Sequence, residues 1–159
     1  MRTLSIYLVE DSEMLASRLA ELLREEPQVE LVGQAPDAAT AIAEVSDLHP
    51  DVVLTDLGLQ SGSGFDVLKA VSKLDPPPLC IVLTNHSSVS YKRAVQEFGV
   101  SEDRFFDKTE QMTSMTRYIR RLAEMRSESL QTGEGSIGRE HEQRDRGRGM
   151  QGPRRTRHA

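Results

Sequence analysis

Short apolar runs alternate with segments of helical periodicity along the first 126 residues of the chain. In the runs the apolar residues are consecutive, whereas in the other segments they recur every three or four positions. The pattern predicts strands at residues 4–9, 29–32, 52–55, 79–83 and 104–106. It predicts helices at residues 13–26, after residue 37, and at residues 65–74, 88–98 and 110–125.

Polar and helix-breaking residues mark the ends of these segments. Ser12 and Asp37 precede the first two predicted helices, where their side-chain oxygens can accept hydrogen bonds from free backbone amides. Pro27 and Gly99 end the first and fourth helices, and a run of prolines from Pro76 ends the third. Strands and helices therefore alternate along the chain.

This alternation predicts right-handed crossovers and one parallel sheet with helices on both faces. The runs at residues 52–54 and 81–83 are continuously apolar, as in a sheet buried on both faces. We therefore expect an α/β fold with a doubly wound, five-stranded parallel sheet. In such sheets, binding sites form at the carboxyl ends of the strands.

Composition narrows the class of protein. The net charge is −5, and the acidic excess lies in the first 127 residues, which argues against a body that grips nucleic-acid phosphates. Cys80 is the only cysteine, so the sequence offers no disulfide and no cysteine-based metal site. The apolar run near residue 4 is too short for a signal peptide, and no apolar run approaches the length of a membrane span, so we expect a cytoplasmic protein.

The character of the chain changes near its end. Residues 127–159 are rich in Gly, Arg, Glu and Gln and contain almost no apolar side chains. Such a segment cannot bury enough apolar surface to offset the entropy lost on ordering. We expect residues 1–126 to form the folded domain and residues 127–159 to be a disordered tail.

Polar side chains follow the apolar strands at the places where a site is expected. Glu10 and Asp11 follow the first strand, Asp56 the third and Thr84 the fourth, and Lys108 follows the fifth. Three acids close together repel one another, and a hard divalent cation such as Mg²⁺ relieves that repulsion. Asp56 is nearest a buried strand and is the best-placed nucleophile, and the resulting aspartyl phosphate would be neutralised by the metal, Thr84 and Lys108.

Each of these residues also has a structural alternative. Asp56 could cap the next helix or bind its own loop, and the Glu10–Asp11 pair could cap the first helix. Thr84 could simply end a strand, and Lys108 could be a solvated surface lysine. The occurrence of all of them at strand ends favours a common site.

Residues 1–126 resemble the receiver domain of bacterial two-component response regulators. The resemblance is carried by the acid pair in "YLVEDS", by "VVLTDLGLQSGSGFDVL" around Asp56, by the threonine in "IVLTN" and by the lysine in "FFDKTE". Gly64 also occupies the position of a loop glycine in that family. The resemblance implies a flavodoxin-like fold with strand order 2-1-3-4-5.

The resemblance also implies roles for individual residues. Asp11 would bind Mg²⁺ directly and Glu10 through water, with Asp56 and the Gly58 carbonyl completing the metal shell. Asp56 would accept the phosphoryl group from a histidine kinase or phosphotransfer protein.

Two further residues would act as a switch. Thr84 would move to bond the phosphoryl group, which Lys108 would also contact, and Phe105 would turn inward with Thr84. Core packing is the alternative role for Phe105. The chain departs from the family's usual residues at Gln60, Asn85 and Thr109.

These implications describe a signalling switch rather than a conventional enzyme. We expect a single-domain regulator, a monomer or a phosphorylation-dependent dimer, that catalyses only its own phosphorylation and dephosphorylation and acts on a downstream protein or in a relay. Nucleic acid and membrane are not expected as partners. One alternative is a receiver whose Arg-rich tail binds nucleic acid, and another is a truncated regulator that lacks its output domain. A third is a phosphatase with an aspartyl-phosphate intermediate. The sequence disfavours this third alternative because the chain lacks the Asp-x-Asp motif of such enzymes.

Overall fold

The computed structural model describes residues 2–85 and 88–128. The chain divides into two compact units, Met1–Glu124 and Met125–Ala159, and the first of them contains the sheet. In the second unit, residues 125–128 are helical. The tail that the sequence predicts to be disordered lies, from residue 129 onward, outside the described residues.

Five parallel strands form one sheet in the order β2-β1-β3-β4-β5, which confirms the predicted fold class and strand order. The strands are β1 (Leu4–Val9), β2 (Val29–Ala35), β3 (Val52–Thr55), β4 (Leu79–Thr84) and β5 (Phe105–Asp107). Strand order reverses beside β1, so the carboxyl ends of β1, β3 and β4 lie next to one another at one edge of the sheet.

Helices follow the strands as the periodicity predicts. They are α1 (Glu13–Arg24), α2 (Ala38–Leu48), α3 (Gly64–Val71), α4 (Val89–Gln96) and α5 (residues 112–128). Ser12 and Asp37 are confirmed as N-caps, because their side-chain oxygens accept the amides of Leu15 at 3.3 Å and Thr40 at 2.8 Å.

Two apolar layers cover the sheet. Buried residues of α1 and α5, such as Leu19 and Ile119, pack on one face together with Ile6, and those of α2, α3 and α4 pack on the other together with Tyr7. Adjacent residues of a strand therefore serve opposite layers. Within residues 2–85 and 88–128, no helix combines the length and apolar character needed to cross a membrane.

Three strands differ from their predicted bounds, and β4 does so only by including Thr84. β2 continues through Gly33 and Gln34 to Ala35, because its backbone stays paired with β1 after its apolar residues end. β5 begins at Phe105 rather than Arg104, because Arg104 belongs to a 3₁₀ turn and its guanidinium Nε donates to the Cys80 carbonyl at 3.2 Å.

Candidate functional site

The ends of β1 and β3 bring three acids together. Each of Glu10, Asp11 and Asp56 offers a carboxylate oxygen, and these three oxygens lie within 4.8 Å of one another. The Glu10 amide donates to the Ala35 carbonyl of β2, and the Asp56 amide donates to the Val9 carbonyl of β1, both at 3.1 Å. Sheet pairing therefore holds the backbone of two of the three acids.

Lys108 joins this cluster from the loop after β5. Its ammonium lies 2.6 Å from Asp56 Oδ2 and 2.9 Å from Glu10 Oε1, and its side chain is only 11% exposed. The Lys108 amide donates to the Thr84 carbonyl at 3.1 Å, which attaches the start of this loop to the end of β4. One cation thus bridges two buried carboxylates at the edge of the sheet.

The two oxygens of the Asp56 carboxylate have different partners. Oδ1 accepts the amides of Leu57 at 2.6 Å and Gly58 at 3.3 Å, whereas Oδ2 accepts the Lys108 ammonium. Asp56 is 6% exposed, so these partners replace most of its contact with water. This environment keeps the carboxylate in a defined orientation, as a nucleophile requires.

Burial and neighbouring charges act in opposite directions on the pKa values of Glu10 and Lys108. Burial raises the pKa of Glu10, and the hydrogen bonds from Lys108 and from the Ser12 amide oppose that rise without cancelling it. Burial alone would lower the pKa of Lys108, but the hydrogen bonds and charges of Asp56 and Glu10 outweigh it and raise that pKa. The charged form of Lys108 is thereby favoured, whereas burial disfavours the carboxylate form of Glu10, which a second cation would favour.

Gly64 allows the loop after β3 to lie against the backbone of Asp56 and Leu57. A Cβ atom at this position would be 2.0 Å from the Asp56 carbonyl oxygen and 2.7 Å from the Leu57 Cα. The Gly64 amide donates to the Leu57 carbonyl at 2.9 Å, and Gly58 pairs with Ser63 across the loop. The position therefore excludes every side chain, which gives a physical reason for the glycine that the sequence shows there.

Thr84 and Phe105 lie in the neighbouring strands. Thr84 is completely buried at the end of β4, and Phe105 is 4% exposed in the core layer formed with α2, α3 and α4. Phe105 therefore already packs in the core, and its predicted role as a switch, like that of Thr84, stays a prediction. The predicted metal contact of the Gly58 carbonyl also stays a prediction.

The donor set fits Mg²⁺. Carboxylate oxygens are the protein ligands that this ion prefers, and it binds through one or two carboxylates together with waters and phosphate oxygens. Asp11 is partly exposed beside the buried Glu10 and Asp56, so the cluster also has a side that water can reach. The sequence predicted all three of these acids and Lys108, and the structure brings them together.

Two contacts near the site were missed by the sequence analysis. The Lys92 ammonium of α4 lies 5.8 Å from the centroid of the Phe105 ring, and the Tyr91 ring stacks on Phe65 of α3. No local pattern indicates either contact, because the partners are distant in sequence.

Comparisons with known proteins identify relatives of this chain. A curated relative, protein-glutamate methylesterase/protein-glutamine glutaminase 2 of Koribacter versatilis, is 26% identical over 118 residues, which are 73% of this chain and 32% of that protein. The DNA-binding transcriptional activator DevR/DosR of Mycobacterium tuberculosis is 32% identical over 83 residues, 52% of this chain and 38% of that protein. The chain thus spans about a third of the length of these relatives.

Solved structures show the same fold. The signal receiver domain of the putative response regulator NarL from Mycobacterium tuberculosis has a TM-score of 0.70 at 20% identity, covering 78% of this chain and 98% of that one. The response regulator domain of Thermotoga maritima CheB has a TM-score of 0.68 at 19% identity, with coverages of 78% and 96%. Residues 6–120 match the response regulator receiver domain. The chain therefore belongs to the response regulator receiver domain family, which serves two-component signalling.

Proposed function

We propose that this chain is a phosphorylation-controlled signalling switch in which Asp56 accepts a phosphoryl group from a histidine kinase or phosphotransfer protein. The observation that carries the proposal is the Lys108 ammonium, which lies 2.6 Å from Asp56 and 2.9 Å from Glu10 in a cluster that also contains Asp11. A buried ammonium beside an oriented carboxylate can neutralise the charge that a phosphoryl group brings.

The proposed step transfers one phosphoryl group. A carboxylate oxygen of Asp56 attacks phosphorus and forms a P–O bond, while the P–N bond to the donor imidazole breaks and its electrons return to the imidazole nitrogen, which takes up a proton. Asp56 has no proton to lose in this step because it reacts as the carboxylate. Lys108, already within hydrogen-bond distance of Asp56 Oδ2, then donates to a phosphoryl oxygen.

Glu10, Asp11 and Asp56, with the Gly58 carbonyl, would hold a magnesium ion. When bound, this ion supplies further positive charge to the phosphoryl oxygens. The raised pKa of Glu10 supports this role, because it indicates a carboxylate that Lys108 alone does not fully stabilise.

The response to phosphorylation would pass through Thr84 and Phe105. The Thr84 hydroxyl would donate a hydrogen bond to a phosphoryl oxygen. Phe105 in the neighbouring strand would respond as the second residue of the switch. The output would be contact with another protein through α4, β5 and α5, or onward transfer of the phosphoryl group in a relay. A dimer that forms on phosphorylation is a further form of this output.

The output of the whole protein stays open to experiment. One of the two curated relatives described above is named as an enzyme and the other as a DNA-binding activator, and each is about three times the length of the aligned region. The predictions that the chain is a single-domain regulator, that it is not an enzyme and that nucleic acid is not a partner therefore stay predictions.

The proposal is tested by intact mass spectrometry after incubation with acetyl phosphate and Mg²⁺. We expect one phosphoryl adduct on the wild type, its loss when Mg²⁺ is chelated, and its loss in Asp56→Asn. Asp47→Asn removes the same charge from an exposed position on α2 and should keep the adduct.

Rapid hydrolysis could hide the adduct, so binding of the stable phosphoryl mimic beryllofluoride is measured on the same variants. Wild-type protein that neither forms an adduct nor binds the mimic would contradict the proposal. An adduct that persists in Asp56→Asn would place the acceptor elsewhere.

A further inference from the structure

The first turn of α4 contacts two aromatic rings that belong to different elements. Tyr91 stacks on Phe65, the residue after Gly64, with ring centroids 5.8 Å apart and planes inclined by 26°. Lys92, the next residue, places its ammonium 5.8 Å from the centroid of Phe105 in β5. The turn therefore links the start of α3 with the strand that precedes Lys108.

Local structure holds Lys92 in place. The Ser88 side chain accepts the Tyr91 amide at 3.3 Å, and the Ser88 carbonyl accepts the Lys92 amide at 3.1 Å. Within residues 2–85 and 88–128, Lys92 forms no ion pair with a carboxylate, and its side chain is partly buried. A cation over an aromatic face is attracted by the ring quadrupole, and the attraction grows as the pair loses contact with water.

Pairing with one strand and the packing of two rings hold β5 in place. This strand has three residues and, among the described residues, pairs with β4 alone, through Val82 with Phe105 and Thr84 with Asp107. Phe105 and Phe106 bury their rings in opposite core layers, so they are the apolar anchors of the strand. Lys108 follows directly, and its placement beside Asp56 depends on how firmly these rings hold the strand.

We propose that Lys92 is a positioning residue for this site: its ammonium holds the ring of Phe105 in the core, and the ring holds β5 and thereby the Lys108 ammonium. The effect on phosphoryl binding rests on the function proposed above for Asp56. The contact between Lys92 and Phe105 does not rest on it and can be measured in the protein without a ligand.

The test compares Lys92→Met, which keeps the apolar stem and removes the charge, with Lys92→Arg, which keeps a cation. Arg93→Met is the matched control, because it removes the same charge from the adjacent exposed residue of α4. The chain contains four phenylalanines, so incorporation of 4-fluorophenylalanine yields few ¹⁹F signals, and Phe105→Leu identifies that of Phe105.

The first readout is the ¹⁹F signal of Phe105 in protein without a ligand. We expect its shift between H₂O and D₂O, which reports contact with water, to increase in Lys92→Met and to stay at the wild-type value in Lys92→Arg and Arg93→Met. An unchanged signal in Lys92→Met would overturn the proposal.

The second readout is the apparent affinity for beryllofluoride in the presence of Mg²⁺. We expect it to weaken about three- to five-fold in Lys92→Met, as loss of a partly buried cation–π contact predicts. Lys92→Arg, which keeps a cation, should bind beryllofluoride with the wild-type affinity. In a Phe105→Leu background, or in Phe105→Met if the leucine variant does not fold, removal of the Lys92 charge should have no further effect.

An equal loss of affinity in Lys92→Met with and without Phe105 would overturn the proposal, because the charge would then act by another route. If wild-type protein does not bind beryllofluoride at all, the phosphoryl function fails. The ¹⁹F readout then still decides whether Lys92 positions Phe105.

Discussion

A single ammonium, that of Lys108, contacts two buried carboxylates at the edge of the sheet. The upward shifts in the pKa of Glu10 and of Lys108 have different causes, burial for the acid and two acidic partners for the base. Three carboxylates and one ammonium leave the cluster with more negative than positive charge. This imbalance makes the pocket suitable for a divalent cation.

Gly64→Ala should damage both the fold and the acceptor site. The new Cβ would lie 2.0 Å from the Asp56 carbonyl oxygen, and because this neighbour is backbone, the loop after β3 must move. We expect a loss of at least about 2 kcal/mol in the free energy of unfolding and little or no phosphoryl adduct. Denaturant unfolding and intact mass measure the two effects.

Gly99→Ala is the control for this substitution. Gly99 has a positive φ of 86°, but a Cβ there would meet no atom within 4 Å. It should cost only about 1 kcal/mol of backbone strain and leave the adduct intact. Equal stability losses in the two variants would contradict the steric argument for Gly64.

The segment after α1 is joined to α5 by one ion pair. The Arg120 guanidinium donates through Nε to Glu26 Oε1 at 2.8 Å and through its terminal nitrogen to Oε2 at 2.9 Å. These hydrogen bonds lower the pKa of Glu26, which is a buried carboxylate. A carboxyl group with a lowered folded-state pKa stabilises the fold above its ordinary pKa and loses this effect as the pH falls through the folded value.

Arg120→Met should therefore lower the Tm at neutral pH, and the difference from wild type should shrink as the pH falls below the ordinary pKa of a glutamate. Thermal unfolding between pH 3 and pH 8, about the range that brackets this pKa, measures the effect. Arg117→Met, which removes an exposed arginine from the same helix, is the control. A Tm difference that is independent of pH would mean that Arg120 acts by packing alone.

Local patterns predicted the elements better than their ends. Ser12 and Asp37 were recognisable as caps because capping depends on neighbouring residues only. The extension of β2 past its apolar residues and the start of β5 at Phe105 depend on pairing with other strands and on the contact between Arg104 and Cys80. Such tertiary contacts have no signature in a local stretch of sequence.

At the scale of the molecule, strand order brings the site together. Glu10, Asp56 and Lys108 are far apart in sequence, yet parallel strands place their carboxyl ends at one edge, so their convergence was predictable. The same convergence places three acids beside one bridging ammonium, and we expect their mutual repulsion to lower the stability of the fold. The contacts of Lys92 and Arg120, which join separate elements, could not be derived in this way.

Asp11→Asn should stabilise the whole fold in the absence of divalent cations, since it removes one of three mutually repelling charges. We expect a gain of about 0.5–1 kcal/mol in chelator. We expect Mg²⁺ to raise the Tm of the wild type and to raise that of the variant less, because one proposed ligand is lost.

Asp47→Asn serves as the control at an exposed position of α2, and we expect no comparable gain from it. Thermal unfolding of both variants, with and without Mg²⁺, measures these effects. A destabilised Asp11→Asn protein in chelator would show that repulsion among the acids is not the dominant interaction of Asp11.

The backbone of the site is also part of the sheet. The amides of Glu10, Asp56 and Lys108 each donate to a carbonyl at the end of a neighbouring strand. Because these groups are committed to strand pairing, the main chain at these residues cannot follow an incoming group. We therefore expect adjustment to come from side-chain rotation and loop motion. The sheet would then act as a fixed frame, and a signal would leave the site through its side chains and loops and not through rearrangement of the strands.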